Sequence, residues 1–488
     1  MNKYNVRAIR KGLDDCVRNR AWKKLSASVT ALIRDPNLLE AVVLTTSKLA
    51  SGSFLHGLVK QDHHENVLSL ATMVARAAPH ALTVQDSLLQ TPVHIAIARN
   101  QPPEMVDTFL RILSGHDDNK SLYQVLAAQD KLGETALIKA AKGDDSSQYI
   151  PVLLRYMVQK SLGSLLLIQD KRKQRTALSY AVSNELHNAY KYPQYVPPAE
   201  LRLLLIATYF AVVQKHEQGN ICDHEWTSFQ QELLDNSNNA LDTSSTTTTT
   251  TSSDMVEQLT VRALVTCSHL LGKYAVKLLD FLMENDTYRQ WILSQEVDQH
   301  GNYMVHLIAS NFHVDGNDAT GNTTTTKALL LDQLQQRKGE FSEAVCHPND
   351  DGNMPLHLAI ATGQFDLVMP LWDDVAIEHC NCRGELPLHL ALKPVSVVEF
   401  SSLEHVLNNL WKARPSSVEV RDSPTQLYPF QLAACSEWGG KLHENPCQDG
   451  DNTEATSTQS VDVQWVNLVF TLLLAAPQAI LFQQDTNS

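Results

Sequence analysis

The segment Asp350-Asp351-Gly352-Asn353-Met354-Pro355-Leu356-His357-Leu358-Ala359 decides the fold of this 488-residue chain. A polar turn that contains a glycine leads directly into Pro-Leu-His and further apolar residues. Proline is well tolerated in the first turn of a helix, and glycine permits a positive φ in the turn before it. The segment therefore predicts a tight turn followed at once by a short helix.

The same pattern recurs along the chain, which indicates an array of similar structural units. Clear copies run from Asp86 to Ala96 and from Asn381 to Ala391. The weaker copies begin at Asp130, Asp170, Asp298 and Asp422, and a worn copy covers 53–58. Most neighbouring copies are separated by the length of one helix pair and a loop, except for a long gap between 176 and 303.

A second amphipathic segment follows almost every copy, with apolar residues at positions i, i+3, i+4 and i+7. Examples are Val67, Leu70, Ala71 and Val74; Val106, Phe109, Leu110 and Leu113; Ile150, Leu153, Leu154 and Met157; Phe365, Val368, Met369 and Trp372; Leu403, Val406, Leu407 and Leu410; and Val466, Val469, Phe470 and Leu473. One helix pair cannot bury its apolar face alone, so neighbouring pairs are expected to stack.

These motifs resemble the ankyrin-repeat family, whose signature Asp-x-x-Gly-x-Thr-Pro-Leu-His-x-Ala is nearly intact at 350–359. The resemblance covers roughly residues 20–483. It implies an all-α ankyrin-repeat solenoid of about eight or nine stacked helix-turn-helix repeats.

The resemblance also implies structural roles for the residues of the motif. Its histidines are expected to form hydrogen bonds within and between neighbouring turns: His56, His94, His306, His357 and His389. The turn glycines Gly133, Gly301, Gly352 and Gly384 are expected to adopt positive φ.

Composition shifts predict the organisation of the chain. We expect a basic N-terminal arm at 1–19, a capping helix with repeats at 20–215, a Thr/Ser-rich low-complexity insertion at 216–253, a second repeat block at 254–483 and a tail at 484–488. The insertion contains an uninterrupted Thr/Ser tract at 243–253 with no apolar side chain to bury.

In ankyrin repeats, partners usually contact the turn tips and the exposed end of the first helix. Carried onto this chain, the resemblance predicts the following partner-binding set: Ser87, Leu88, Gln90 and Arg99; Lys131, Leu132, Glu134 and Lys142; Asp351, Asn353 and Thr362; and Arg383, Glu385 and Lys393. Each of these could instead be an ordinary solvated residue.

Overall composition narrows the possible classes of protein and cellular compartments. A formal net charge of −14 argues against a dedicated nucleic-acid-binding protein. Eight cysteines without a dense framework are typical of a reducing compartment. The apolar runs at 203–213 and 466–482 are too short or too interrupted to suggest a transmembrane helix. We therefore expect a cytoplasmic protein, with the nucleus as the alternative.

Motifs for chemistry are weak. No P-loop, dinucleotide fingerprint or nucleophile elbow is present, so we expect no catalytic residues, no cofactor and no small-molecule substrate. Three groups contain possible metal ligands, but ordinary thiols explain them better: His379-Cys380-Asn381-Cys382, Cys222-Asp223-His224-Glu225, and Cys435 with His443 and Cys447.

The sequence thus favours a non-catalytic protein–protein interaction scaffold or adaptor. One alternative is a regulatory adaptor that its basic N-terminus anchors to anionic lipid or nucleic acid, since residues 1–24 carry a local excess of Lys and Arg. The other is an unrecognised enzyme or metal-binding protein with a site in 216–300.

Overall fold

The computed structural model describes residues 3–45, 52–62, 65–115, 119–143, 148–191, 199–215, 226–227, 229–231, 233, 253–310, 322–336, 338–393, 400–435 and 461–476. Over these residues the chain is all-α, without a β-strand. It divides into two compact units, Met1–Leu278 and Leu279–Ser488. We predicted a second repeat block at 254–483, and residues 254–278 of that range lie in the first compact unit.

The first unit is built from short helices joined by turns. Its α-helices are Lys3–Arg18, Trp22–Ile33, Pro36–Leu44, Phe54–Val59, Glu65–Ala77, Pro92–Ala98, Pro103–Ser114, Lys120–Ala127, Ala136–Lys142, Tyr149–Gln159, Ala177–Lys191, Ala199–Lys215, Ser253–Thr266, Ser268–Leu271 and Lys273–Met283, the last of which crosses the unit boundary. Two 3-10 helices, Pro79–Leu82 and Gly163–Leu167, accompany them.

The second unit has the same construction. Its α-helices are Asp286–Leu293, Met304–Ala309, Asn322–Gln335, Lys338–Val345, Pro355–Ala361, Asp374–Glu378, Pro387–Ala391, Phe400–Ala413, Pro429–Cys435 and Val461–Ala475, with 3-10 helices at Phe365–Leu367 and Pro415–Glu419. No described helix is both long enough and apolar enough to cross a membrane.

The N-terminal segment is a packed helix rather than the expected arm. Arg10 is 1% exposed, and its guanidinium donates hydrogen bonds to the carbonyl oxygens of Val43 (3.1 Å) and Thr45 (2.8 Å). These carbonyls end the helix Pro36–Leu44, where a cation is favourable for the helix dipole. The predicted capping helix follows at Trp22–Ile33.

Most of the second amphipathic segments bury the residues that their spacing predicts. The stripes at 67–74, 106–113, 150–157 and 403–410 all lie in the core. A stripe in the 127-residue gap, at 203–210, is buried as well.

One of these predictions is partly right and one is wrong. In the fourth segment Phe365 and Val368 are buried as predicted, but only the short 3-10 helix Phe365–Leu367 forms, because the proline at 370 disfavours helical backbone at the residue before it. Met369 is 52% exposed. The last helix buries Trp465, Leu468 and Leu472, so the expected Val466 and Phe470 face solvent.

Candidate interaction surface

In seven of the described turns an Asp or Asn side chain closes the turn, and all of these side chains are buried except Asp298, which is half-buried. In the best example, Oδ1 of Asp130 accepts hydrogen bonds from the backbone N–H groups of Leu132 (2.8 Å) and Glu134 (3.0 Å). The same position in the other turns is held by Asp86, Asp170, Asp298, Asn349, Asn381 and Asp422. This contact fixes the turn before the short helix begins.

The structure shifts one predicted motif by a single residue. We expected Asp350 to begin the copy at 350–359, but Asn349 is the residue whose side chain accepts from the N–H groups of Asp351 and Asn353. Asn349 is 9% exposed, whereas Asp350 is exposed. Asp350 therefore belongs to the solvent-facing tip.

The residue with positive φ lies three or four positions after the closing side chain. Gly133, Gly301, Gly352 and Gly384 adopt φ values of 67–80°, as predicted. At Gly133 a side chain would also meet the backbone nitrogen of Lys171 in the next turn at 2.5 Å. Other turns place Leu89, Gln174 or Gln426 in this conformation, which L-residues adopt only at a cost in free energy.

The motif histidines join each turn to the next one. Nδ1 of His306 accepts the N–H of Tyr303 (3.2 Å), which leaves the ring proton on Nε2. Nε2 then donates to the carbonyl of Asn353 in the following turn (3.0 Å). The same pair of contacts occurs at His56, His94, His357 and His389, all of them 0% exposed. The predicted structural role of these histidines is confirmed.

Burial keeps these rings neutral. It lowers the pKa of His94, His306 and His357 to about 4, and it lowers the pKa of His56 and His389 as well. Protonation of Nδ1 would in addition remove the acceptor of a buried backbone N–H. The groups are therefore structural hydrogen-bond bridges rather than bases near neutral pH.

Backbone hydrogen bonds also join the tips of successive turns. In the first unit, the N–H of Lys131 donates to Leu88 O (3.0 Å), and the N–H of Lys171 donates to Leu132 O (3.1 Å). In the second unit, the N–H of Cys382 donates to Asp351 O (2.9 Å). The exposed residues of neighbouring tips are therefore held in a fixed row within each unit.

The predicted partner-binding residues separate into two groups. The exposed ones are Ser87, Leu88, Arg99, Lys131, Leu132, Lys142, Asp351 and Arg383. Thr362 and Lys393 are half-buried, and the Thr362 hydroxyl donates to carbonyls of its own helix and of the preceding copy.

The remaining four lie just before the N-cap of the short helix, and two of them are buried rather than exposed. Glu134 and Glu385 are 4% and 1% exposed. Gln90 and Asn353 are half-buried and link copies, since Gln90 Nε2 donates to Asp130 Oδ2 (3.5 Å) and Asn353 Oδ1 accepts from Asn381 Nδ2 (3.0 Å).

The buried glutamates bind lysines from the far end of the following helix. Glu134 pairs with Lys139 (3.1 Å) and Lys142 (2.6 Å), and Glu385 pairs with Lys393. Burial by itself would raise the pKa of Glu385, but the hydrogen bonds from Lys393 and Asn381 hold it below its usual range. These buried carboxylates thus join each turn to the helix that follows it.

We did not predict one cluster of cationic and aromatic side chains, in which Tyr180 is buried, Arg175 and Tyr274 are half-buried and Lys142 is exposed. Lys142 Nζ lies 5.6 Å from the ring centroid of Tyr180, and the Arg175 guanidinium lies 5.7 Å from the same ring. Arg175 also donates a hydrogen bond to the Tyr274 hydroxyl at 2.9 Å. The basic run 171–175 was a usable signal, but Tyr274 lies 99 residues away from Arg175 in the chain, so its approach follows only from the fold.

The structure describes some of the residues that the sequence suggested as possible metal ligands. Among the described residues, no three His, Cys, Asp or Glu side chains are arranged to hold a metal ion. Cys380, Cys382 and Cys435 are exposed free thiols. Residues 222–225, His443 and Cys447 lie outside the described residues, as does most of the predicted insertion at 216–253.

No protein-family model matches the chain, and no curated protein is significantly similar to it.

Proposed function

We propose that the protein is a non-catalytic interaction scaffold or adaptor of the ankyrin-repeat type, which recognises other proteins through its rows of turn tips. The observation that carries this proposal is the turn-to-turn bonding, in which the buried His of one turn donates to a carbonyl of the next turn and a backbone N–H of the later turn donates to a carbonyl of the earlier one. A rigid row of exposed residues loses little conformational entropy when a partner binds.

The use of the chemically reactive residues also supports a binding role. Both ring nitrogens of each motif histidine are engaged in structural hydrogen bonds. Cys267 is fully buried, and desolvation raises the pKa of its thiol, which makes a poor nucleophile. An enzyme with a site in 216–300 therefore gains no support from the residues of that segment that the structure describes.

The N-terminal anchor has less support than the sequence suggested. Arg10 contributes its charge to a buried helix cap, and Leu13 and Val17 pack in the core. The helix is thus part of the folded unit, although Arg7 and Lys11 remain exposed.

Affinity capture from native cell extract with quantitative mass spectrometry tests the proposal. The wild-type protein is compared with a first-unit variant (K131E/K171E/R172E), a second-unit variant (D351K/R383E) and a control (K24E/R76E/K120E). All of these substitutions alter exposed residues, and the control residues lie away from the tips on other helices.

We expect specific partners that either tip variant loses and the control retains. Glu134 and Glu385 are left unchanged because their substitution would break buried ion pairs. An identical set of partners for all four proteins would contradict the proposal.

A further inference from the structure

Three consecutive turn tips of the first unit carry an ordered mixture of cations and leucines. The basic tip surface consists of Leu88, Lys131, Leu132, Lys171, Arg172 and Lys173, all exposed. The backbone bonds Lys131 N–H to Leu88 O and Lys171 N–H to Leu132 O place each leucine beside a lysine of the next turn.

The cations of this surface are not neutralised by the turns that carry them. No ion pair among the described residues involves Lys131, Lys171, Arg172 or Lys173. The nearby carboxylates are buried and already bound: Asp86, Asp130 and Asp170 accept hydrogen bonds from their own turn backbones, and Glu134 binds Lys139 and Lys142. The tip row is therefore positive on a chain whose net charge is −14.

The turns do not require leucine at these two positions. Leu88 and Leu132 are 48% and 37% exposed, and other turns place His300, Asp351 or Arg383 at the same position. A polar residue is thus sufficient for the turn itself. Exposed apolar groups that lie between cations are suited to contact with a partner that has both apolar and acidic side chains.

We infer that the basic tip surface is a docking site for an acidic peptide segment of another protein, with leucine-like side chains between its carboxylates. This inference rests on the proposed scaffold function and names the class of its partner. A peptide fits the observations better than a larger polyanion does, because the remainder of the acidic protein would repel a nucleic acid or an anionic bilayer that extends beyond the tip row.

Selection from a random peptide library displayed on phage tests the inference and does not require an identified partner. Peptides of about 12 residues, which span about 40 Å when extended, are selected on the full-length protein after depletion on K131E/K171E/R172E. We expect the enriched peptides to combine several Asp or Glu residues with Leu or an aromatic residue. Peptides without acidic residues, or no enrichment at all, would overturn the inference.

The affinity of the most enriched peptide is then measured by fluorescence anisotropy. K131E/K171E/R172E should weaken binding about tenfold or more, and L88S/L132S about threefold to tenfold. Binding should also weaken as the NaCl concentration rises from about 50 to about 300 mM. The control K24E/R76E/K120E should bind as wild type does, and circular dichroism should show that all variants keep their helices. Equal affinity for wild type and the triple tip variant would refute the inference.

Two further probes separate this inference from other uses of the same charges. Phosphatidylserine vesicles and a uridine homopolymer RNA are tested with wild type and with K131E/K171E/R172E. Binding of either probe that the triple variant loses, in the absence of peptide binding, would assign the surface to lipid or nucleic acid. The peptide inference can fail while the scaffold function is still supported. That result would be the capture of specific partners that only D351K/R383E loses.

Discussion

The turns of the two units are alike beneath the surface and different at their tips. In both units a buried Asp or Asn closes the turn, a residue with positive φ follows it, and a buried histidine reaches the next turn. At the tips, the first unit presents Lys131 with Leu132 and the basic run 171–173, whereas the second presents Asp350 with Asp351. The contacts that close and join the turns and the exposed tip residues thus occupy different positions of one ten-residue motif, so the tips can vary without loss of the buried contacts.

Acidification should lower the stability of the second unit more than that of the first. The three histidines with a folded-state pKa of about 4 are His94 in the first unit and His306 and His357 in the second. Their unfolded pKa is about 6.5, so the unfolded chain binds more protons between pH 6.5 and 4 and stability falls as the pH drops through this window. The loss by pH 5 should be about 2 kcal/mol for each of them. Urea denaturation at pH 7 and pH 5, followed by circular dichroism, measures it.

The chain itself supplies the control for this prediction. Gln431 occupies the histidine position of the last described turn, and its Oε1 accepts the N–H of Tyr428 at 2.9 Å. H357Q should therefore keep this contact and reduce the loss of stability at pH 5, because an amide does not titrate. An unchanged difference between pH 7 and pH 5 in H357Q would show that other groups cause the acid sensitivity.

A carboxylate introduced into the core should reduce the free energy of unfolding far more than one introduced at a turn tip. Leu356 is 0% exposed in the second unit, and L356D should destabilise that unit by about 3–5 kcal/mol because it buries an unpaired carboxylate. L88D, at a side chain that is 48% exposed, is the matched control and should change stability by less than about 1 kcal/mol. Thermal melts followed by circular dichroism compare them, and similar melting temperatures would disprove our placement of the inner face.

Substitutions at the positive-φ position should have different effects on stability in two turns of the first unit, one with glycine and one with leucine at that position. G133A should lose about 2 kcal/mol, because φ is +80° and the new methyl group would meet the backbone of Lys171. L89G should change the free energy of unfolding by less than about 1 kcal/mol, since relief of the strained φ offsets the greater flexibility of the unfolded chain. Urea midpoints measure both changes, and a destabilised L89G would mean that the exposed Leu89 side chain itself supports the turn.

The smallest effect is expected for charge reversal at the tips. K131E and D351K should each change the unfolding free energy by no more than about 0.5 kcal/mol, because both side chains are exposed. Urea denaturation provides the measurement. A large loss in either variant would mean that the tips contribute to folding, which would remove the contrast between buried motif and exposed tip.

The buried half of the motif could be predicted from the sequence because each of its residues has a local and specific task. Glycine at a positive-φ position and histidine three residues into a helix are such cases, and both were confirmed. The register error at Asp350 arose where two aspartates follow Asn349, since all three residues can close a turn.

Contacts over longer distances could not be predicted in the same way. Glu134 lies next to a turn, as an exposed residue would, and its burial depends on lysines that return from the end of the next helix. The helix Val461–Ala475 is apolar on most of its circumference, so its sequence did not determine which stripe is buried. Neighbouring elements decide such cases, and a linear pattern does not contain them.

The forward direction of the histidine bonds has a consequence for synthesis on the ribosome. Nε2 of His94 donates to a carbonyl 40 residues further along the chain, and Nε2 of His306 donates to one 47 residues further along. A buried donor without its acceptor is costly, so a newly translated copy cannot complete its packing until the next turn has left the exit tunnel. Folding of the nascent chain should therefore lag translation by one copy, and that incomplete copy is where a chaperone would find exposed apolar surface.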